Sequence, residues 1–264
     1  MRPLLRLVPV WVTPHRRLRT RLMYNGAKTG TPALLLGIKD RVELVKSALR
    51  LDFVNAQKPW SEMRDIIRVV SGDQNAQVQA APIVVDREKD HTRITIQVRA
   101  LSLELEQRST SKNATEAIVK ILSDLHQSSE LPDISKVLYE QTLIEPIDLT
   151  FHELVSALKR IYLQQSRIVD QASDIGLSLD RLMPDGVLQH IQIGPMDAQQ
   201  LTTQWLRWKR ESTPDTFVYI RVASELAKED PFRLLSVQSF LEASATWQIA
   251  EADAVAEQIR EGIG

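Results

Sequence analysis

The stretch from Ile83 to Leu105 constrains the fold of this 264-residue chain more than any other. Ile83-Val84-Val85 leads through the charged segment Asp86–His91 into Ile94, Ile96, Val98 and Ala100 on one parity, then Leu101, Leu103 and Leu105 on the other. Strand side chains point alternately to opposite faces, so a two-residue apolar period specifies a strand with one buried and one wet face. Two such runs joined by a charged turn predict an antiparallel hairpin. The change of parity predicts a β-bulge at Ala100-Leu101, where one inserted residue returns the leucines to the buried face.

Around this hairpin the remaining pattern is mixed. Residues 4–13 read as a short strand interrupted at Pro9, and Val42–Val54 as a longer one. Pro59 opens a short helical segment with Met63, Ile66, Ile67 and Val70 at helical spacing. Asn113 and Glu116 resemble a capping box ahead of a helix buried through Ala117, Ile118, Ile121, Leu122 and Leu125. Residues 128–146, with Pro132 and Pro146, read as a linker.

Beyond it the texture is helical. Segments are predicted over Thr150–Leu163, Ser166–Ile175, Ala198–Arg210 behind an Asp197 cap, Pro214–Glu229 and Ser236–Arg260. The expected fold class is therefore α+β: an N-terminal antiparallel sheet with helices, followed by an all-helical C-terminal part. The expected division is a basic arm over 1–32, an α+β domain over 33–145 and a helical domain over 146–264. No internal repeat or low-complexity tract is visible.

Charge is distributed unevenly. Eight Lys or Arg precede Asp40, the first acidic residue, whereas the whole chain has 33 basic and 34 acidic residues. Residues 40–264 thus carry about −9 against +8 on the leading segment. Such asymmetry points to an arm that meets something acidic, or to a targeting segment. An Arg-rich, acid-poor leader fits a mitochondrial transit peptide, but Pro3, Pro9 and Pro14 interrupt the amphipathic helix it would need. A secretory signal fits worse, because basic residues follow the short apolar stretch Leu7–Val12. The other readings are a solvated tail and a basic arm (Arg16, Arg17, Arg19, Arg21, Lys28) that binds nucleic acid or an acidic protein.

Chemical signatures are few. Cysteine is absent, which excludes disulfides, thiolate metal sites and a cysteine nucleophile, and fits a reducing compartment. No apolar run reaches the roughly 18 residues that cross a bilayer. His15, His91, His126, His152 and His190 show no metal spacing, and His152-Glu153 lacks the second histidine of a zinc-protease helix. Gly26-Ala27-Lys28-Thr29 fails as a phosphate loop, because Ala27 separates the glycine from the lysine and Arg21 stands where a glycine belongs. Asp170, Asp174, Asp180 and Asp185 are a weak metal set.

One further cluster invites binding. Trp205 and Trp208 are helical neighbours among Arg207, Lys209 and Arg210, a combination suited to bases, phosphates or an acidic surface. Leu201 continues the tryptophan stripe one turn earlier, which favours a core-facing helix with a basic last turn. The C-terminal helix has an alanine face and an acidic face through Glu242, Glu251, Asp253, Glu257 and Glu261, which suits packing between helices or between subunits.

The reading favoured on these grounds is a non-catalytic subunit or adaptor, without metal or cofactor, contacting other protein subunits and nucleic acid or an acidic partner, with self-association open. Its expected location is cytoplasmic, or the mitochondrial matrix if the leader is an address. The alternative is an enzyme with a carboxylate site assembled from scattered residues.

Overall fold

The computed structural model describes residues 42–54, 83–87, 91–97, 99–106, 110–128, 131–163, 167–204 and 215–263. The strands are β1 (Glu43–Phe53), β2 (Ile83–Arg87), β3 (Thr92–Gln97), β4 (Ala100–Leu105), β5 (Ile134–Pro146), β6 (Leu177–Leu182), β7 (Leu188–Asp197) and β8 (Thr216–Phe232). The helices are α1 (Ser111–Ser128), α2 (Phe151–Tyr162), α3 (Arg167–Gln171), α4 (Ala198–Gln204) and α5 (Leu234–Ile263). The strands form one 8-stranded, wholly antiparallel sheet in the order β2-β3-β4-β1-β5-β8-β7-β6.

This overturns the expected all-helical C-terminal part. β6, β7 and β8 come from that part, and β8 pairs with β5 along nearly its whole length, so the sheet runs continuously across residue 146. Segment 214–229, predicted as a helix, belongs to a strand from Thr216 onward. Its run Phe217-Val218-Tyr219-Ile220-Arg221-Val222 is β-branched and aromatic, and Val218, Ile220 and Val222 are buried on one side. The segment read as a linker is β5, the strand that joins the two halves of the sheet. Lys136, Glu140 and Glu145 disguise it, yet Val137, Tyr139, Gln141 and Leu143 alternate onto one buried face.

The hairpin of β2 and β3 forms as expected, with Asp86 opposite Arg93. The bulge at Ala100-Leu101 does not form. The chain reverses between Gln97 and Ala100, which are themselves paired, and β4 returns antiparallel to β3. In that register Ile96 faces Leu101 and Ile94 faces Leu103, so reversal rather than insertion puts both parities on one face. Val98-Arg99 lacks the Asn-Gly or Gly-rich chemistry by which a two-residue hairpin turn is recognised.

Two halves of the sheet repeat one another in element order. Counting the sheet strands and the helix that follows them, each runs long strand, hairpin, strand, helix: β1, β2-β3, β4, α1, then β5, β6-β7, β8, α5, with α2 and α3 inserted after β5 and α4 after β7. β1 and β5 meet at the centre, and each half fans outward in the same order. The predicted strand over 4–13 and the predicted helix after Pro59 lie outside the described residues.

The core lies between one face of the sheet and α1, α2 and α5. Ile94, Leu101, Leu103 and Leu51 meet Ile118, Leu122, Val237 and Leu241; farther along, Ile191, Ile193, Ile220 and Val222 meet Leu154, Leu158, Ala252 and Ala256. Burying each large side chain contributes about 1.5–3 kcal/mol. Ala245, Ala252 and Ala256 let α5 approach closely, whereas Ala243, Ala250 and Ala254 of the predicted alanine face are exposed. α2 starts at Thr150 with a capping box: Thr150 Oγ1 accepts from the Glu153 N–H, and the Glu153 carboxylate accepts from the Thr150 N–H at 2.9 Å. α1 is capped one turn earlier than expected, by Thr110, whose Oγ1 accepts from the Asn113 N–H at 3.2 Å.

Candidate functional site

The opposite face of the sheet is polar. One row crosses all the strands in register: Asp86, Arg93, Glu104, Ala48, Glu140, Ala223, His190 and Asp180. The repeat is visible in it, since each outer hairpin is closed by an aspartate on the edge strand and a cation or imidazole beside it. Arg93 Nε donates to Asp86 Oδ1 at 2.8 Å, and His190 Nδ1 lies 2.7 Å from Asp180 Oδ1. The bond and charge of Asp86 hold the Arg93 guanidinium pKa above its ordinary value. Other cations of this face are paired in the same way: Lys46 with Glu104 at 3.1 Å, Arg50 with Asp52 at 2.9 Å, Lys136 with Glu225 at 2.8 Å, and Arg221 with Glu140.

Charged edge strands of this kind also discourage pairing with a second sheet. At one end of the face a bulge in β1 at Val45 turns that residue toward Ile144, Met196, Phe217 and Leu201, and α4 covers the cluster. α4 is held by reciprocal capping: Asp197 Oδ1 accepts from the Gln200 N–H, and Gln200 Oε1 accepts from the Asp197 N–H at 2.9 Å.

Beside that cluster lies a groove of about 480 Å³ lined by Lys46, Glu140, Thr142, Gln192, Met196, Tyr219 and Arg221. Arg221 anchors it, donating through Nη2 to Glu140 Oε2 and through Nη1 to Gln192 Oε1 at 3.2 Å. The Tyr219 ring covers Gly194, where an added Cβ would stand 2.6 Å from Tyr219 Cε1. Partial burial raises the Tyr219 phenol pKa, the Asp174 carboxylate adds to the rise, and Arg221 opposes it. The groove thus combines a guanidinium, an ammonium, a carboxylate, an amide and hydroxyls along an apolar wall. Such a set is chemically able to hold a polar small molecule by hydrogen bonds and charge.

A substitution tests this floor. Gly194→Ala should displace the Tyr219 ring and destabilise the protein by about 1–3 kcal/mol. Urea unfolding and the ring resonances of Tyr219 would check it; an unperturbed ring would refute the close fit.

A second cavity, about 470 Å³, lies between the start of α1 and α5. Its hydroxyls are already engaged: Thr115 Oγ1 is 2.9 Å from Tyr139 Oη, and the Gln141 amide donates to Ser111 Oγ at 2.7 Å. Burial raises the Tyr139 phenol pKa. This network serves the helix–sheet interface.

The binding residues read from the sequence, Arg16, Arg17, Arg19, Arg21, Lys28, Arg207, Lys209 and Arg210, all lie outside the described residues, with Trp205 and Trp208. Asp170, Asp174, Asp180 and Asp185 are scattered: Asp180 holds His190, and Asp185 accepts from the Val187 N–H at 3.2 Å in the β6–β7 turn. No group of three or more metal-ligating side chains occurs among the described residues. His152 is exposed in the first turn of α2. Four of the groove residues were missed because they lie on β5 and β8, read as linker and helix; read as strands, their alternation shows Glu140 with Thr142, and Tyr219 with Arg221, on one face.

Neither a scan against protein-family models nor a search of curated proteins found a match to this chain. No helix among the described residues is long and apolar enough to cross a membrane.

Proposed function

We propose that the protein is a non-catalytic subunit or adaptor of a larger assembly, whose leading basic segment engages nucleic acid or an acidic protein surface. The observation that carries this reading is the partition of charge, +8 before Asp40 and about −9 after it. The sheet supports it from the other side. Lys46, Arg50, Arg93, Lys136 and Arg221 are each matched to a carboxylate, so the polar face offers a polyanion no surplus charge from them. The leading segment, with no acidic residues, is where the sequence concentrates unbalanced positive charge. Contacts of this type to phosphates supply affinity without sequence specificity and weaken steeply with salt.

Replacing Arg16, Arg17, Arg19 and Arg21 together by Ala tests the reading. Binding to duplex DNA, RNA or polyglutamate at low salt should weaken by about tenfold or more, and the melting temperature should hold. For duplex DNA the salt slope should flatten by roughly 0.9 for each phosphate that the variant no longer neutralises. Which polyanion responds identifies the partner class. Equal binding by the variant and the parent would end the proposal.

A further inference from the structure

The groove on the polar face differs from the ion pairs around it in having hydrogen-bonding groups with no partner among the described residues. Thr142 is 5% exposed, and its hydroxyl makes no hydrogen bond among the described residues; the same holds for the Tyr219 hydroxyl. Glu140 uses one carboxylate oxygen for Arg221 and leaves the other without a hydrogen bond among the described residues. Lys46 commits its ammonium to one carboxylate, Glu104, with donors to spare.

The register explains why these groups converge. Lys46 pairs with Thr142, Thr142 with Arg221 and Arg221 with Gln192, so the four stand in one row across β1, β5, β8 and β7. Neighbouring strands are about 4.8 Å apart, which places two long cationic side chains roughly 10 Å apart at their backbones with a hydroxyl between them. Glu140 stands two residues along β5 from Thr142, on the same face. Met196 and the Tyr219 ring form the apolar wall.

We propose that this groove binds a free α-amino acid with an apolar side chain. The carboxylate sits over Thr142 between Lys46 and Arg221, the ammonium faces Glu140, and the side chain lies along Met196 and Tyr219. The balance of charge selects a zwitterion: a bare anion meets Glu140 and Glu104, and a bare cation meets Arg221 and Lys46. Arg221 is already held by Glu140 and Gln192, so little side-chain freedom is lost on binding. The volume of about 480 Å³ lies within the range of small-molecule sites. The site shares no residue with the basic segment, so it stands or falls independently of the adaptor reading.

Calorimetric titration of the full chain with L-leucine, L-methionine and L-phenylalanine tests the proposal, with isocaproate and isoamylamine as the two halves of leucine. At least one amino acid should bind at millimolar concentration or below, and each half-molecule about tenfold more weakly, the scale of one lost charge-assisted hydrogen bond. Lys46→Met and Thr142→Val should each weaken binding about tenfold with the melting temperature held. Amide NMR shifts on titration should centre on Thr142, Gln192 and Arg221. Absence of binding by all three amino acids, equal binding of isocaproate, or unchanged affinity in both variants would overturn it.

Discussion

Replacing Leu103 by Ala should destabilise the protein by about 2–5 kcal/mol, whereas replacing Val84 by Ala should change stability by no more than about 0.5 kcal/mol. Both residues belong to the most regular apolar stretch of the chain, and pattern alone does not separate them. Leu103 is 0% exposed and sits with Ile94, Ile118 and Leu122 beneath α1. Val84 is 51% exposed on the polar face of the outermost strand. Removing Leu103 deletes transfer free energy and leaves a cavity that the sheet, held by pairing on both sides of β4, closes poorly. Urea denaturation of the two variants checks the contrast. A small loss at Leu103 would mean that β4 does not present its leucines to the helices, and the reversal between Gln97 and Ala100 would then be wrong.

Replacing Arg260 by Met should cost about 2–3 kcal/mol, and the added change Glu145→Gln should restore most of it. Arg260 Nε donates to Glu145 Oε1 at 3.0 Å, joining the last turns of α5 to the end of β5. The side chains are 29% and 10% exposed, so the arginine is partly solvated and the glutamate is the group left in a poor dielectric. The penalty lies in taking the cation away from a charged carboxylate in a poor dielectric rather than in the worth of the pair, which is why neutralising that carboxylate helps. Chemical denaturation of the parent, both single variants and the double variant closes the cycle. Equal, additive losses would show that the two residues do not act as a pair.

Much of the secondary structure was legible wherever local chemistry decides it. A cap at Thr150 marked the start of α2, Asp197 predicted α4, and the apolar run of β1 marked a strand almost to its ends. Failures came where the deciding contact is remote. Lys136, Glu140 and Glu145 broke up the apolar pattern of β5 because their partners, Glu225, Arg221 and Arg260, lie some 80 to 115 residues away. The same distance hid the groove. Lys46, Thr142, Arg221 and Gln192 are ordinary one by one, and only strand pairing sets them in a row. The bulge expected at Ala100 failed for a related reason. A parity change looks identical in sequence whether a residue is inserted or the chain turns back, and the partner strand distinguishes the two.

From the order of residues alone follow the segregation of positive charge ahead of Asp40, the absence of thiol chemistry, the β2–β3 hairpin and the long C-terminal helix, since composition and near-neighbour periodicity determine each. Tertiary structure decided that β5 and β8 are strands, that the two halves repeat, and that a set of charges and hydroxyls gathers on one face. Hydrogen bonding between strands distant along the chain sets those outcomes, and its energy is not carried by any one segment.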